Sequence, residues 1–482
     1  MNFRGEDKFL GQPPWQTSLL YLIWLLAGIS LLTTLTLPYM GEEGVYTVTS
    51  QEMWYHREWL KPIFYGASYG RPPFYNWLIM PVANALGWPQ VLVASRLISA
   101  MMTMLTSGLL FVLVYRVTQR NTLLALLSAT IFLSGDVLFK RGWLAYADPT
   151  FGFFCFLACA GVWLAVEEAR LWWLVLAVFG VVAAFLSKAL TAYGFFFGAQ
   201  LVLFWKHRQG GWLLNPSVLV LQAVALLFPV FWNIAVTEGA HGSGMLLDIW
   251  HQMAILDVRA YVVKLLSFPF VLWVQFLPVS LIVAGIVGWY WARGGRGPAE
   301  GIGSREHALF SMALGILLIN ALPYWIAPQM RIRYLLPLYP FIAMMLAYGV
   351  WVHREKALKL VTGVLMVSVI ARFGLGFWGY PYYERQYRGD YRAVAQAMID
   401  LAQGRPIYTD YTSAIGISVV ANINALRMPE MPPVSGIRAE AKTGLFFTNH
   451  REVMRGRFLR EIVVGRTSLY LFDLAERSGP PT

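Results

Sequence analysis

The sequence predicts an α-helical membrane protein that crosses the bilayer about eleven times and ends in a small α/β domain. Only 13% of the 482 residues are charged, whereas soluble domains carry about 25%. Apolar stretches close to the ~20 residues that a spanning helix requires recur as far as Tyr380. Hydropathy then falls, and short strand-like segments follow. Residues 1–380 are therefore expected to form a membrane domain and residues 381–482 a soluble domain.

The apolar stretches set the predicted spans. They lie at 17–38, 89–115, 122–139, 149–166, 172–187, 190–205, 216–236, 268–292, 308–326, 334–352 and 358–379. Residues 75–87 are apolar but short, and we expect them to lie in the interface or to brace the preceding loop. The first span does not end in a small-residue cleavage site, so it is predicted to be retained rather than removed as a signal peptide.

Basic residues beside the spans predict the orientation. With the N-terminus inside, short basic turns fall on the cytoplasmic side, as the positive-inside rule requires; they contain Arg116, Arg120, Lys206, Arg208, Arg293, Arg296, Arg354, Lys356 and Lys359. The outer side then contains the first loop (39–76), residues 140–148, the Ser187-Lys188 turn, a loop at 237–267 and residues 327–334. This loop assignment places the soluble domain on the outer side as well.

The net charge of +12 is explained by contact with anionic membrane lipids, and no nucleic-acid partner is expected. Basic residues also occur in the outer loops, beyond what the positive-inside rule predicts. We therefore expect these outer cations to bind something anionic.

The C-terminal domain is predicted from periodicity. Residues 390–403 have helical spacing, with Val394, Ala395, Met398 and Leu401 on one face. Residues 405–410, 444–449, 461–465 and 468–474 are predicted to be short strands.

Three outer carboxylates are candidate catalytic groups. Glu42 and Glu43 follow the first span directly, where a carboxylate can act as a general base; the alternative is a solvated acidic turn. Asp148 lies where the chain re-enters the membrane. The alternative for Asp148 is a helix cap, because Asp-Pro is a favourable helix start.

Outer cations and tyrosines are candidate substrate-binding groups. Arg71 precedes two prolines that stiffen its turn, and Lys188 lies between two apolar runs, where a charge is costly. The full set is Tyr69, Arg71, Lys188, Arg331, Arg333 and Tyr334. Each cation alone could be an interfacial residue, but together with two carboxylates they suit an anionic lipid headgroup.

No metal site is predicted. His56, His241 and His251 fall on the outer side without metal-ligand spacing. Cys155 and Cys159 are spaced by one helical turn inside an apolar span and are expected to pack as small hydrophobic residues.

Several ordered segments of residues 15–350 resemble the GT-C membrane glycosyltransferases, specifically the bacterial aminoarabinose transferases and protein O-mannosyltransferases. The first segments are Glu42-Glu43 with Tyr46, Glu52-Met53, and Arg71-Pro72-Pro73 with Trp77. The later ones are Tyr146-Ala147-Asp148-Pro149, Leu186-Ser187-Lys188 and Arg333-Tyr334-Leu335-Leu336-Pro337. The chain departs from the pattern where Glu42 replaces Asp and Arg71 replaces Lys.

The resemblance implies an inverting hexosyl- or pentosyltransferase in the bacterial inner membrane. Its donor would be a polyprenyl-phosphate sugar, and transfer to lipid A, a polysaccharide or a protein would occur on the periplasmic side. Glu42 would be the base, with Asp148 as helper or alternative, while Glu43 would be catalytic or would orient the loop. The cations would bind the lipid phosphate. No cofactor is required, although a divalent metal is compatible because some relatives use one. The rival is a lipid-linked sugar flippase.

Overall fold

The computed structural model of the chain describes residues 14–207, 215–237, 257–292, 304–437, 443–452 and 456–474. Helices dominate as far as Tyr387. In chain order they are α1 (Pro14–Ser30), α2 (Glu43–His56), α3 (Phe74–Leu86), α4 (Val91–Val117), α5 (Thr122–Leu133), α6 (Ala147–Glu168), α7 (Leu171–Ser187), α8 (Ala192–His207), α9 (Pro216–Thr237), α10 (Val258–Val274), α11 (Val279–Ala292), α12 (Ser304–Ile326), α13 (Tyr339–Val352), α14 (Arg354–Gly374) and α15 (Tyr380–Tyr387).

The multi-span class is confirmed, but the count of eleven is not. Within the described residues, seven helical segments are long and apolar enough to span a membrane, or eight if α10 and α11, which meet at 99°, form one broken span. Each predicted stretch coincides with a helix. The stretches at 122–139, 172–187 and 190–205 correspond to α5, α7 and α8, which have only 12, 17 and 16 residues.

Two predicted loops are wrong in part. The predicted loop at 237–267 is helical from Val258 onward, and residues 238–256, including His241 and His251, lie outside the described part of the chain. Arg208, Arg293 and Arg296 also lie outside it. The first loop contains the 14-residue helix α2, followed by the hairpin β1 (Ile63–Phe64) and β2 (Ala67–Ser68).

Helices α6 and α7 form the centre of the membrane domain. They approach to backbone contact, because a Cβ on Gly180 would come within 2.9 Å of the Ala158 nitrogen and one on Gly161 within 2.7 Å of the Trp173 oxygen. Small residues at an interface allow this close packing. Asp148 lies in the first turn of α6 and Lys188 caps the end of α7, so the packing brings these two residues together.

The C-terminal domain is an α/β unit, as predicted. Helix α16 (Tyr391–Ala402) packs on a sheet of order β4-β3-β5-β7-β6, with strands at Ile407–Thr409 (β3), Ser435–Gly436 (β4), Gly444–Thr448 (β5), Arg457–Val464 (β6) and Thr467–Leu474 (β7). Strand β3 pairs in parallel with β4 and β5, while β7 is antiparallel to β5 and β6. Helix α17 (Ala414–Arg427) was not predicted, because its sequence is apolar nearly all round and lacks a polar face.

Helix α17 fixes the C-terminal domain to the first loop. A Cβ on Gly44 of α2 would come within 2.6 Å of the Ile417 side chain, and Gln51 donates a hydrogen bond to the Ala421 carbonyl at 3.2 Å. The hairpin adds a contact in which the Gly436 N–H donates to the Tyr65 carbonyl at 2.9 Å. The soluble domain therefore packs directly on the helix that follows Glu42.

A buried ion pair anchors this helix to the membrane domain. Glu43 and Arg96 are both fully buried, and Arg96 donates to the two carboxylate oxygens at 2.8 and 2.5 Å. Arg96 also donates to the carbonyls of residues 34, 35, 37 and 38. The remaining Glu43 acceptors are used by the N–H groups of Met40 and Ala145. One charge pair thus fixes the whole turn before α2.

Replacing Arg96 by Met should lower the free energy of unfolding by about 3–5 kcal/mol, because Glu43 would be left as an uncompensated buried charge. Unfolding of the purified protein in sodium dodecyl sulfate measures this loss. The matched control is Arg116→Ala on the same helix, whose pair with Glu168 is largely exposed and should change stability by less than about 1 kcal/mol. Equal losses in the two variants would contradict the anchoring role of Arg96.

Candidate active site

A cavity of about 850 Å³ lies between the first loop, the segment before α13 and the C-terminal domain. We call it the arginine pocket. Its lining contains Glu42, Tyr69, Arg71, Arg331, Arg333, Tyr334, Thr412, Ser413, Ala414 and Ile417. The structure therefore brings together candidate residues that lie almost 300 positions apart in the sequence. A cavity of this size accommodates a substrate headgroup.

Glu42 lies at the wall of the arginine pocket between two arginines. Arg331 donates to its carboxylate at 2.9 and 3.1 Å, and Arg333 donates at 2.9 Å. Burial alone would raise the pKa of Glu42, but the hydrogen bonds from Arg333 and Arg331 outweigh it and lower the pKa below the usual value. Glu42 is thus a carboxylate at neutral pH, and its basicity is suppressed while the arginines stay bound.

Asp148 is paired with Lys188 directly behind the pocket wall. The Lys188 ammonium forms a short ion pair with the Asp148 carboxylate. Asp148 does not cap α6: the helix begins at Ala147 and the residue at the cap is Tyr146, with no side-chain cap. The carboxylate is free of the capping role that was its alternative explanation.

Arg333 joins the two carboxylates into one network. Its guanidinium reaches Glu42 at 2.9 Å and Asp148 at 3.9 Å. The ring of Tyr334, the next residue, lies under the Lys188 ammonium, 3.9 Å from the ring centroid. Glu42, Asp148 and their three cations therefore form one electrostatic unit in which any added anion would be felt by both carboxylates.

Tyr146 supports this network, although the sequence indicated it only as part of a motif. Its hydroxyl accepts a hydrogen bond from the Glu42 N–H at 2.9 Å, and its ring lies under Arg333 at 4.9 Å. A Cβ on Gly41 would come within 2.6 Å of the Tyr146 hydroxyl, and Gly41 has φ +61°. Glycine is thus required at 41 for both the left-handed backbone and the close approach to Tyr146.

The segment with Arg331 and Arg333 follows the end of α12. Lys264 of α10 donates to the last carbonyls of that helix, at 2.7 Å to both Tyr324 and Ala327. A cation at this end satisfies carbonyls that have no partner within the helix and complements the helix dipole. Lys264 therefore fixes the direction in which the chain leaves α12 towards the pocket.

Arg71 and Tyr69 enter the pocket from the first loop. The ring of Tyr69 lies 5.2 Å from the Arg71 guanidinium, and Arg71 donates a long hydrogen bond of 3.4 Å to Tyr46. Arg71 has no carboxylate partner among the residues that the structure describes. Its exposed charge is the one cation in the described pocket lining that a ligand could meet without displacing a carboxylate.

Glu52 positions Tyr69 and Arg71 through the hairpin that precedes them. Its carboxylate accepts hydrogen bonds from the N–H groups of Tyr65 at 2.8 Å and Gly66 at 2.7 Å. Tyr65 and Gly66 both have positive φ, so the carboxylate stabilises a tight turn. Burial raises the pKa of Glu52 to about 7, against the opposing effect of the two backbone hydrogen bonds.

Glu43, the third carboxylate candidate, lies away from the pocket. Its side chain is fully enclosed by Arg96 and two backbone N–H groups. A substrate cannot reach it, so its position favours the orienting alternative over a catalytic one.

The C-terminal domain supplies one wall of the arginine pocket, and sequence reasoning missed these residues. Thr412, Ser413 and Ala414 lie at the start of α17, and Ile417 lies one turn further on. Ser413 caps the helix by accepting from the Gly416 N–H. A serine before an apolar run is a helix start signal, and it could have indicated α17.

Metal ligands are not grouped in the structure. Among the described residues, no three His, Cys, Asp or Glu side chains lie close enough together to bind a metal ion. His56 is exposed at the end of α2, whereas Cys155 and Cys159 are buried thiols within α6.

Comparison with known proteins agrees with this architecture. Residues 15–238 match the family model of dolichyl-phosphate-mannose-protein mannosyltransferases. The crystal structure of ArnT from Cupriavidus metallidurans bound to undecaprenyl phosphate superposes with a TM-score of 0.64 at 14% identity, covering 97% of this chain and 99% of that one. The apo form of ArnT gives 0.60 at 15% identity with the same coverage. The chain has the GT-C fold.

The GT-C fold extends over the C-terminal domain, because the alignment with ArnT covers nearly the whole of both chains. The family model adds a sequence match across the segment that contains Glu42, Arg71, Asp148 and Lys188. Together they confirm the resemblance to membrane glycosyltransferases that the sequence motifs indicate.

Glu52 should make thermal stability depend on pH. Because its folded-state pKa of about 7 is above the unfolded value, its contribution is fully present below about pH 4.5 and is lost as pH rises through about 7. The melting temperature of the wild type should therefore fall between pH 5 and 8 relative to Glu52→Gln. Glu58→Gln, a substitution in the same loop, should keep the wild-type profile. Parallel profiles for the wild type and Glu52→Gln would refute the assignment.

Proposed function

We propose that this protein is an inverting glycosyltransferase that moves a hexose or pentose from a polyprenyl-phosphate donor to an acceptor hydroxyl. The observation that carries the proposal is the Glu42–Arg333–Asp148–Lys188 network at the arginine pocket. It combines two carboxylates for proton transfer with cations for a departing phosphate. The ArnT structure with the same fold is bound to undecaprenyl phosphate, which supports a lipid phosphate as the ligand of this pocket.

Donor binding begins at Arg71 in this proposal, since its charge has no carboxylate partner in the described part of the chain. The phosphate then competes with Glu42 for Arg331 and Arg333, and with Asp148 for Lys188. A guanidinium can bind two phosphate oxygens at once, which favours arginine at such a site.

Loss of the arginines raises the basicity of Glu42 at the moment when the donor is in place. The acceptor oxygen forms a bond to the anomeric carbon of the sugar, while the bond from that carbon to the phosphate oxygen breaks. The acceptor proton goes to Glu42, and the electron pair leaves with the polyprenyl phosphate. Asp148 is the alternative base, or it assists by orienting Lys188 on the leaving phosphate.

The proposed setting is the bacterial inner membrane, with the pocket and the C-terminal domain on the periplasmic side. Lipid A, a polysaccharide and a protein are all acceptors compatible with an open pocket. The contacts of α17 with α2 support a role for the C-terminal domain in shaping the acceptor side. Membrane lipids surround the exposed apolar helices.

Glu42→Gln and Asp148→Asn should each reduce transfer by about 10²–10⁴-fold, the usual contribution of a positioned base. Purified protein is incubated with polyprenyl-phosphate sugars and candidate acceptors, and release of polyprenyl phosphate is followed together with glycosylation of the acceptor. Glu58→Gln in the same loop is the matched control and should retain wild-type turnover. Near-normal turnover by both active-site variants would refute the assignment, and lipid movement without sugar transfer would favour the flippase.

Arg71→Gln should raise the KM for the donor by about 10–100-fold, because a charged hydrogen bond to phosphate is worth about 1.5–3 kcal/mol. Arg71→Lys should fall between this variant and the wild type, since lysine retains the charge but not the fork. Arg57→Gln, an exposed arginine at the end of α2, should leave the KM unchanged. A KM insensitive to both Arg71 variants would remove Arg71 from the donor site.

A further inference from the structure

A second cavity, of about 350 Å³, lies on the other side of the turn that contains Glu42. We call it the tyrosine pocket; it is lined by Gly41, Tyr383, Tyr387, Arg388, Tyr391 and Arg466, with further residues of α17. Gly41 lines this cavity and Glu42 lines the arginine pocket, while Ala414 lines both. A single turn of chain and the start of α17 thus separate the two cavities.

Aromatic rings form one side of the tyrosine pocket. Tyr383 and Tyr387 lie one helical turn apart on α15, with ring centroids 5.0 Å apart, and about half of each side chain is exposed. Helix α15 ends the last candidate span, and Trp378 and Tyr382 beside it are 73% and 66% exposed, as in an interfacial aromatic belt. The pocket therefore opens close to the membrane surface, where rings and hydroxyl groups can contact a sugar.

Two arginines give the tyrosine pocket a positive charge. Arg388 is fixed by a hydrogen bond of 2.9 Å to the Tyr39 carbonyl and by an ion pair of 3.4 Å with Glu384. Arg466 is exposed in the turn between β6 and β7. That turn packs against the chain after α15, because a Cβ on Gly389 would come within 2.7 Å of the Gly465 nitrogen. Glu384 offsets Arg388, so Arg466 supplies the charge available to a ligand.

Resting on the proposed function, we propose that the tyrosine pocket is the acceptor subsite and binds a sugar that carries a phosphate ester. Tyr383 and Tyr387 contact the sugar, and Arg466 binds the phosphate. The donor phosphate occupies the arginine pocket on the opposite side of residues 41–42. An acceptor sugar extending from the tyrosine pocket reaches Glu42 from the side away from the leaving phosphate, as an inverting displacement requires.

The test is a calorimetric titration of the purified full chain with glucose 1-phosphate. Arg466→Ala should weaken binding by about tenfold or more, the effect of losing a charge-assisted hydrogen bond. Tyr387→Ala should weaken binding of both glucose 1-phosphate and the uncharged methyl glucoside. Arg457→Ala, which removes an exposed arginine from strand β6 outside the cavity, is the matched control and should leave both affinities unchanged.

A parallel titration with dihexanoyl phosphatidylglycerol separates a sugar phosphate from a lipid headgroup. Binding of glucose 1-phosphate that depends on Arg466 and Tyr387 supports the inference. Unchanged affinity in Arg466→Ala, or Arg466-dependent binding of the lipid alone, overturns it. Donor-dependent transfer by the wild type is assayed separately: if transfer occurs but the titration fails, only the acceptor subsite is refuted, whereas absence of transfer refutes the proposed function itself.

Discussion

The buried ion pair between Glu43 and Arg96 is the interaction on which the candidate site depends. Two opposite charges without solvent contact are stable only when every acceptor and donor is satisfied, and here backbone groups of the preceding turn complete the set. The turn therefore has one position relative to α4 and α6. Glu42 is the next residue back along the chain, so its place beside Arg331 and Arg333 follows from this anchor.

Around that anchor the site stores its charges in exchangeable pairs. Glu42 lies against Arg331 and Arg333, and Asp148 lies against Lys188. Such pairs preserve neutrality in the empty pocket and are only partly enclosed, so a phosphate can replace a carboxylate at little cost. The same arrangement couples the two proposed steps, since a carboxylate becomes basic when the donor takes its cation.

The sequence was informative where chemistry is local and uninformative where it depends on long-range contacts. Glu42, Asp148, Lys188 and Arg333 were identified because charges beside apolar spans are costly and stand out. The partner of Glu43 could not be predicted, because Arg96 lies 53 positions away in what appears to be an ordinary span start. Helix α17 was missed because it is buried on several sides and so lacks amphipathic periodicity. The pocket wall that it supplies was missed with it.

The competition between Glu42 and the donor phosphate for the same arginines is most directly tested by the affinity for polyprenyl phosphate alone, without sugar or acceptor. Titration of the purified wild type and Glu42→Gln compares the two proteins under identical conditions. The account predicts severalfold tighter binding by Glu42→Gln, because Arg331 and Arg333 no longer have to leave a carboxylate. Equal or weaker binding by that variant would contradict the account.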